Sequence, residues 1–125
     1  MPVKVTIRVG GIMLYAELFD TPCARKVAEA LPIIKEPNKW GDEFYFEIPV
    51  SMPSDETATT VVKVGDIGYW PPGNALAIFF GPTPLSKGID PVPASAVNLV
   101  GKIAGDAAVL RNIKGAAKEI RIERG

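Results

Sequence analysis

Histidine is absent from the 125 residues, and so is glutamine. The first absence removes histidine general-base chemistry and histidine metal ligation. The second removes a common neutral side chain for gripping a peptide amide. Cysteine occurs once, at Cys23, which excludes an intrachain disulfide and every two-cysteine metal or redox motif. Neither sign of charge is in excess: Lys+Arg 14 stand against Asp+Glu 14, so no global field draws the chain to nucleic acid or anionic lipid. No apolar run is long enough to span a bilayer. The opening MPVKVTIRVGG alternates like a strand, without the solid apolar segment and small-residue cleavage site of a signal peptide. The expectation is a cytoplasmic protein with neither a nucleic-acid nor a membrane partner. Missing glutamine, a lone cysteine and abundant proline would also suit a thermophile.

What is present is globular in composition, with 47% hydrophobic and 22% charged residues, enough for one domain over residues 1–125 with a single core. Lys4 to Val9 alternates, with Val3, Val5, Ile7 and Val9 on one face. Gly10-Gly11 reads as a two-residue hairpin loop. Ile12 to Phe19 carries apolar residues on both faces and is expected deep in the sheet. Thr21 and Pro22 are a helix N-cap and first position, and Ala24, Val27, Ala28 and Leu31 form one stripe that Pro32 ends. Ile33 to Trp40 reads as loop and Glu43 to Val50 as a strand broken at Pro49. Ser51 to Thr60 is polar and the expected mobile loop. Val61 to Val64 is a short strand. After a long connection from Leu85 to Ser95, a strand follows at Val97 to Ile103. Asp106 then caps a short helix over Ala107 to Ile113, closed by Lys114-Gly115. Lys118 to Glu123 alternates as a last strand.

The organising stretch is Gly65 to Pro84, GDIGYWPPGNALAIFFGPTP. It predicts two strands joined by a stiff loop through Pro71, Pro72, Gly73 and Asn74, with Tyr69, Trp70, Phe79 and Phe80 near the ends. Short strands at turn-punctuated spacing with two short helices indicate an all-β barrel or sandwich with helical caps.

Three stretches carry a resemblance to a known family. AELFDTPCARKVAEAL (Ala16 to Leu31) resembles the strand-then-helix opening of a cyclophilin. NALAIFF (Asn74 to Phe80) is similar to the family's "NGSQFF" strand. VNLVGKIAGDAAVLRNI (Val97 to Ile113) resembles its "VVFGKV-x-G-x-x-VV-x-x-I" strand and helix. The chain looks most like the small, atypical cyclophilin-like proteins of prokaryotes. The resemblance implies a closed, mainly β barrel with two short capping α-helices. It also implies a peptidyl-prolyl isomerase ancestry, in which an Arg, a Gln, a His and a Phe contact the proline. Here Glu47 falls where the Arg is expected and Ile78 where the Gln is expected; Phe80 alone matches. Isomerisation crosses an amide-resonance barrier of about 20 kcal/mol. A carboxylate supplies no donor to the twisted amide, and losing one such donor costs roughly 100-fold.

The residues assigned to a site are therefore binding, not catalytic: Phe80, Phe46, Glu47, Ile78, Tyr69, Trp70 and Pro72. Phe80 would floor an apolar pocket, or else be core beside Phe79. Tyr69, Trp70, Pro71 and Pro72 would form an aromatic platform, or else plug the barrel end. Glu47, with Asp42 and Glu43 nearby, would be a buried functional carboxylate, or else lie on a solvated strand edge. Cys23 sits in a first helical turn, where the dipole lowers a thiol pKa, or is a small buried residue. No cofactor or metal is implied, since Gly10-Gly11 lacks the helix that a phosphate-binding loop requires. The reading is a cyclophilin-fold module for a proline-containing peptide or small apolar ligand, in a groove between residues 65–84 and the Tyr45-to-Ile48 strand, with little or no isomerase activity. The alternatives are a divergent isomerase and a structural homo-oligomer joined through its YWPP and FFGPTP edges.

Overall fold

The computed structural model describes all 125 residues, Met1–Gly125. β1 (Val3–Val9) and β2 (Ile12–Leu18) form the expected hairpin, with Val9 opposite Ile12. Gly10 and Gly11 have φ of 57° and 82°, the left-handed conformation that lets a two-residue loop follow the strand twist. Val5, Ile7 and Val9 are buried, as the alternation predicts. β2 departs from expectation. Ala16 and Leu18 face the core, but Met13 and Tyr15 are exposed: apolar residue type did not bring a second layer to cover them.

α1 (Pro22–Glu29) begins where its cap signal lies. Thr21 Oγ1 accepts from the Ala24 N–H at 3.3 Å, and Cys23, Ala24, Val27 and Ala28 are buried. The stretch read as one loop instead contains β3 (Ile33–Lys35) and β4 (Asn38–Lys39). Runs of two or three residues beside Pro37 have no periodicity, and only their partners make them strands. β5 (Glu43–Glu47) follows, then β6 (Ala58–Thr59), β7 (Asp66–Trp70) and β8 (Ala75–Phe79). A 3-10 turn over Pro71–Gly73 joins β7 to β8. Val61 to Val64 is not a strand. β6, from within the polar loop, makes the ladder to β9 (Val97–Ala104) instead. The second expected α-helix is a 3-10 helix, Ala107–Asn112, capped by Asp106 accepting from the Ala108 N–H. β10 (Ile120–Arg124) closes the chain.

The sheet order is β3-β10-β1-β2-β9-β7-β8-β5-β4, with β6 beside β9. The fold is mainly β, but the expected closed barrel is not formed, because the ladder stops at β3 and β4. These end strands are short and are joined through only Glu36 and Pro37. Pro37 has no N–H to offer across a seam.

One main cluster of buried apolar residues draws on β1, β2, β5, β7, β8, β9, β10 and α1. Two polar side chains tie the Ser51–Thr60 loop to it. Asn98 Nδ2 donates to the Pro53 carbonyl at 3.0 Å, while its Oδ1 accepts from the Asp55 N–H at 3.0 Å. The Tyr69 hydroxyl donates to the Val50 carbonyl at 2.7 Å and accepts from the Met52 N–H at 3.2 Å. A loop expected to be mobile is thus anchored at both of its inner turns. Tyr69→Phe leaves a buried carbonyl and an N–H without their partner. It should lower unfolding free energy by about 1–3 kcal/mol, read as a reduced urea midpoint with an unchanged slope.

Candidate functional site

The site is built on the outer face of β5, β8, β7 and β9, opposite the main core. Strand alternation sends Phe44 and Phe46 inward and Glu43 and Tyr45 outward. On β8 the same rule puts Leu76 and Ile78 in the main core and Ala77 and Phe79 outside it. Val62, Ala77, Phe79 and Val97 form a second buried cluster, with Tyr45, Trp70 and Leu99 packed against it.

Trp40 ends the short β4 arm, and its N–H donates to the Glu43 carbonyl at 2.9 Å across a tight turn. The turn is fastened from behind. Asp42 N–H donates to the Pro82 carbonyl, Phe80 N–H donates to the Asp42 carbonyl (both 2.9 Å), and Arg111 Nε lies 3.0 Å from Asp42 Oδ2. Across the face, the Trp70 ring lies over Gly73, where a Cβ would sit 2.8 Å from Cζ3. Trp70 Nε1 donates to Ser95 Oγ at 2.7 Å. The Leu85–Ser95 connection lies against this face. Thr83 Oγ1 holds it by donating to the Val92 carbonyl at 2.6 Å.

These parts enclose a cavity of about 170 Å³ lined by Trp40, Glu43, Tyr45, Trp70, Pro93, Ala94 and Val97. Both tryptophans of the chain are in it. Glu43 is only 7% exposed, and its Oε1 has no hydrogen-bond partner. No cation lines the cavity. Burial without compensation pushes the carboxyl up to about 7.

The residues assigned from the sequence scatter about this cavity. Trp70 lines it. Pro72 is exposed on the adjoining 3-10 turn. Tyr69 is fully buried as the anchor of residues 50–52, so it is no part of an exposed platform. Phe80 belongs to the main core, its ring centroid 4.8 Å from that of Phe44, and Phe46 and Ile78 are core as well. Glu47 is exposed beside a second, open hollow of about 460 Å³ bounded by Pro32, Ile33, Lys35 and Pro49. No cleft separates residues 65–84 from the Tyr45-to-Ile48 strand, because β5 and β8 are hydrogen-bonded neighbours, Tyr45 opposite Ala77; the cavity lies over the outer face instead, and of those two segments only Trp70 and Tyr45 line it.

Glu47, at the end of β5, lies on the solvated strand edge, and the buried carboxyl is Glu43 at the start of the strand. Glu43 and Tyr45, two apart on one strand, were the signal. Trp40, Pro93 and Ala94 had none, since only folding brings those loops together. Cys23 is fully buried beside Asn98 Nδ2 at 3.6 Å, and burial pushes its thiol up, against the helix-dipole expectation. Arg25 and Arg111 pair with Asp20 and Asp42. No three histidine, cysteine or acidic side chains cluster to hold a metal ion. No helix is long and apolar enough to cross a membrane.

Two variants test this geometry. The native state holds the Glu43 proton between the ordinary carboxyl value of 4.5 and about 7. Stability therefore falls as pH rises through that window and is level above it. Across it the wild type should lose about 1–3 kcal/mol, whereas Glu43→Gln should show none of that slope in pH-dependent urea unfolding. Thr83→Val should cost about 1–2 kcal/mol and raise amide exchange at Val92, read by NMR.

The comparisons agree with this architecture. The cyclophilin-like family model matches residues 3–123. The solution structure of a hypothetical protein from Archaeoglobus fulgidus is similar, with 35% sequence identity and a TM-score of 0.79. The match covers 99% of this chain and 95% of that one. No curated protein matches. With a family match along nearly its whole length and a solved relative of the same fold, the chain belongs to the cyclophilin-like family.

Proposed function

We propose that the protein is a cyclophilin-fold binding module whose ligand site is the outer-face cavity, and that it has little or no prolyl isomerase activity. The observation that carries this reading is the cavity itself. It has three aromatic rings, a small volume and one unpartnered buried carboxyl, the mix of apolar walls and a few polar groups that small-ligand sites use. A proline ring, an apolar side chain or a small molecule would fit such walls.

The isomerase reading draws no such support. Glu47 offers no donor when ionised, the chain has neither His nor Gln, and no arginine lines the cavity. Fold alone does not confer activity. The oligomer reading loses the Tyr69, Phe79 and Phe80 rings of its two strings, which are buried within the chain.

An NMR-exchange assay of an X-Pro peptide at high protein concentration should give no rate above the uncatalysed background, which relaxes over tens of seconds. In the same sample, a proline-containing peptide should shift the indole N–H signals of Trp40 and Trp70. Clear acceleration, or shifts confined to the hollow around Glu47, would overturn this reading.

A further inference from the structure

Glu43 lines the cavity beside Trp40, Tyr45 and Trp70, and its Oε1 is a buried acceptor without a donor. Native proteins rarely leave such an atom unpaired unless something else supplies the missing hydrogen bond. The cavity walls do not supply it. Trp70 Nε1 is already committed to Ser95 Oγ, and no lysine or arginine lines the space.

The walls also discriminate among occupants. An anion would meet an ionised carboxylate. A purely apolar group would leave Oε1 unpaired. A metal ion would find one carboxylate in the lining and no cluster of three acidic, histidine or cysteine side chains. A protonated amine satisfies both kinds of surface: its N–H can donate to the Glu43 carboxylate, and its alkyl carbons share the positive charge that the faces of Trp and Tyr attract. At about 170 Å³ the space is smaller than the roughly 300–1,000 Å³ of drug-sized sites, so it suits a head group with a few carbons.

We propose that the cavity binds a protonated alkylamine, with an ammonium N–H donated to Glu43 and the alkyl carbons packed against Trp40, Tyr45 and Trp70. This rests on the reading of the cavity as the ligand site. Tyr45 is the only other titratable group lining it. Asp42, the residue before Glu43, is paired with Arg111, and Asp90 in the covering connection is paired with Lys63, while Lys39 precedes Trp40 in the exposed β4 arm. Because the Glu43 carboxyl ionises near 7, binding requires loss of its proton.

The only two tryptophans both line the cavity, so intrinsic fluorescence reads occupancy directly. At pH 8, trimethylammonium should bind at least tenfold more tightly than the neutral isostere tert-butyl alcohol. It should also bind more tightly than tetramethylammonium, which has no N–H to donate. Glu43→Gln, nearly isosteric, should abolish the preference for charge. In the wild type, affinity for trimethylammonium should fall about tenfold from pH 8 to pH 6, and this holds as a test even if the variant folds poorly. A capped dimethyl-lysine amide separates the sources. Tighter binding than trimethylammonium assigns the amine to a peptide side chain, and weaker binding assigns it to a free amine; either supports the proposal. Equal binding of alcohol and ammonium, an unchanged preference in Glu43→Gln, or no fluorescence response to ammonium would overturn it. If a proline-containing peptide still shifts the two indoles, the cavity reading survives that failure; if it does not, both fall.

Discussion

β8 is buried along its whole length, on both faces at once. Leu76 and Ile78 enter the main core, while Ala77 and Phe79 enter the outer cluster. A strand flanked by β7 and β5 has its backbone groups satisfied by the ladder, so nothing penalises such burial provided each face has a cover. The inner face is covered by the rest of the rolled sheet and by α1. The outer face is covered by irregular chain. A loop can serve as a lid only if its own polar groups find partners, and Thr83, Ser86 and Ser95 provide them.

The cavity follows from that arrangement. Between Trp40 and Tyr45 on one side and Trp70 on the other, the cover leaves a gap. Glu43 borders the gap and is the one acidic side chain of the chain that is fully buried. Its cost is carried by a well-packed sheet, and it is confined to the site. Of the positions that family resemblance marks for prolyl chemistry, Ile78 and Phe80 are core, with the Phe80 ring tilted against Phe44, and Glu47 is exposed.

Much of the architecture was legible locally. The Gly10-Gly11 hairpin, the Thr21-Pro22 helix start, the β7–β8 pair and the inward Ile120 and Ile122 each rest on a short-range rule, and each holds. Where local rules were silent, the reading failed. β3, β4 and β6 are too short to show a period, and Met13 and Tyr15 look like core residues but have no layer over them.

The sequence by itself determined which residues share a strand face, because side-chain period two follows from backbone geometry alone. Family membership was equally readable from ordered strand and helix motifs. It did not determine which face is covered, or by what. Whether Glu43 or Glu47 is the buried carboxylate depends on where residues 85–95 come to rest, and both look alike along the chain. Only the tertiary structure brought Trp70 and Pro93 to Glu43 and its turn neighbour Trp40, since contacts between residues so far apart are set by packing rather than by any local preference.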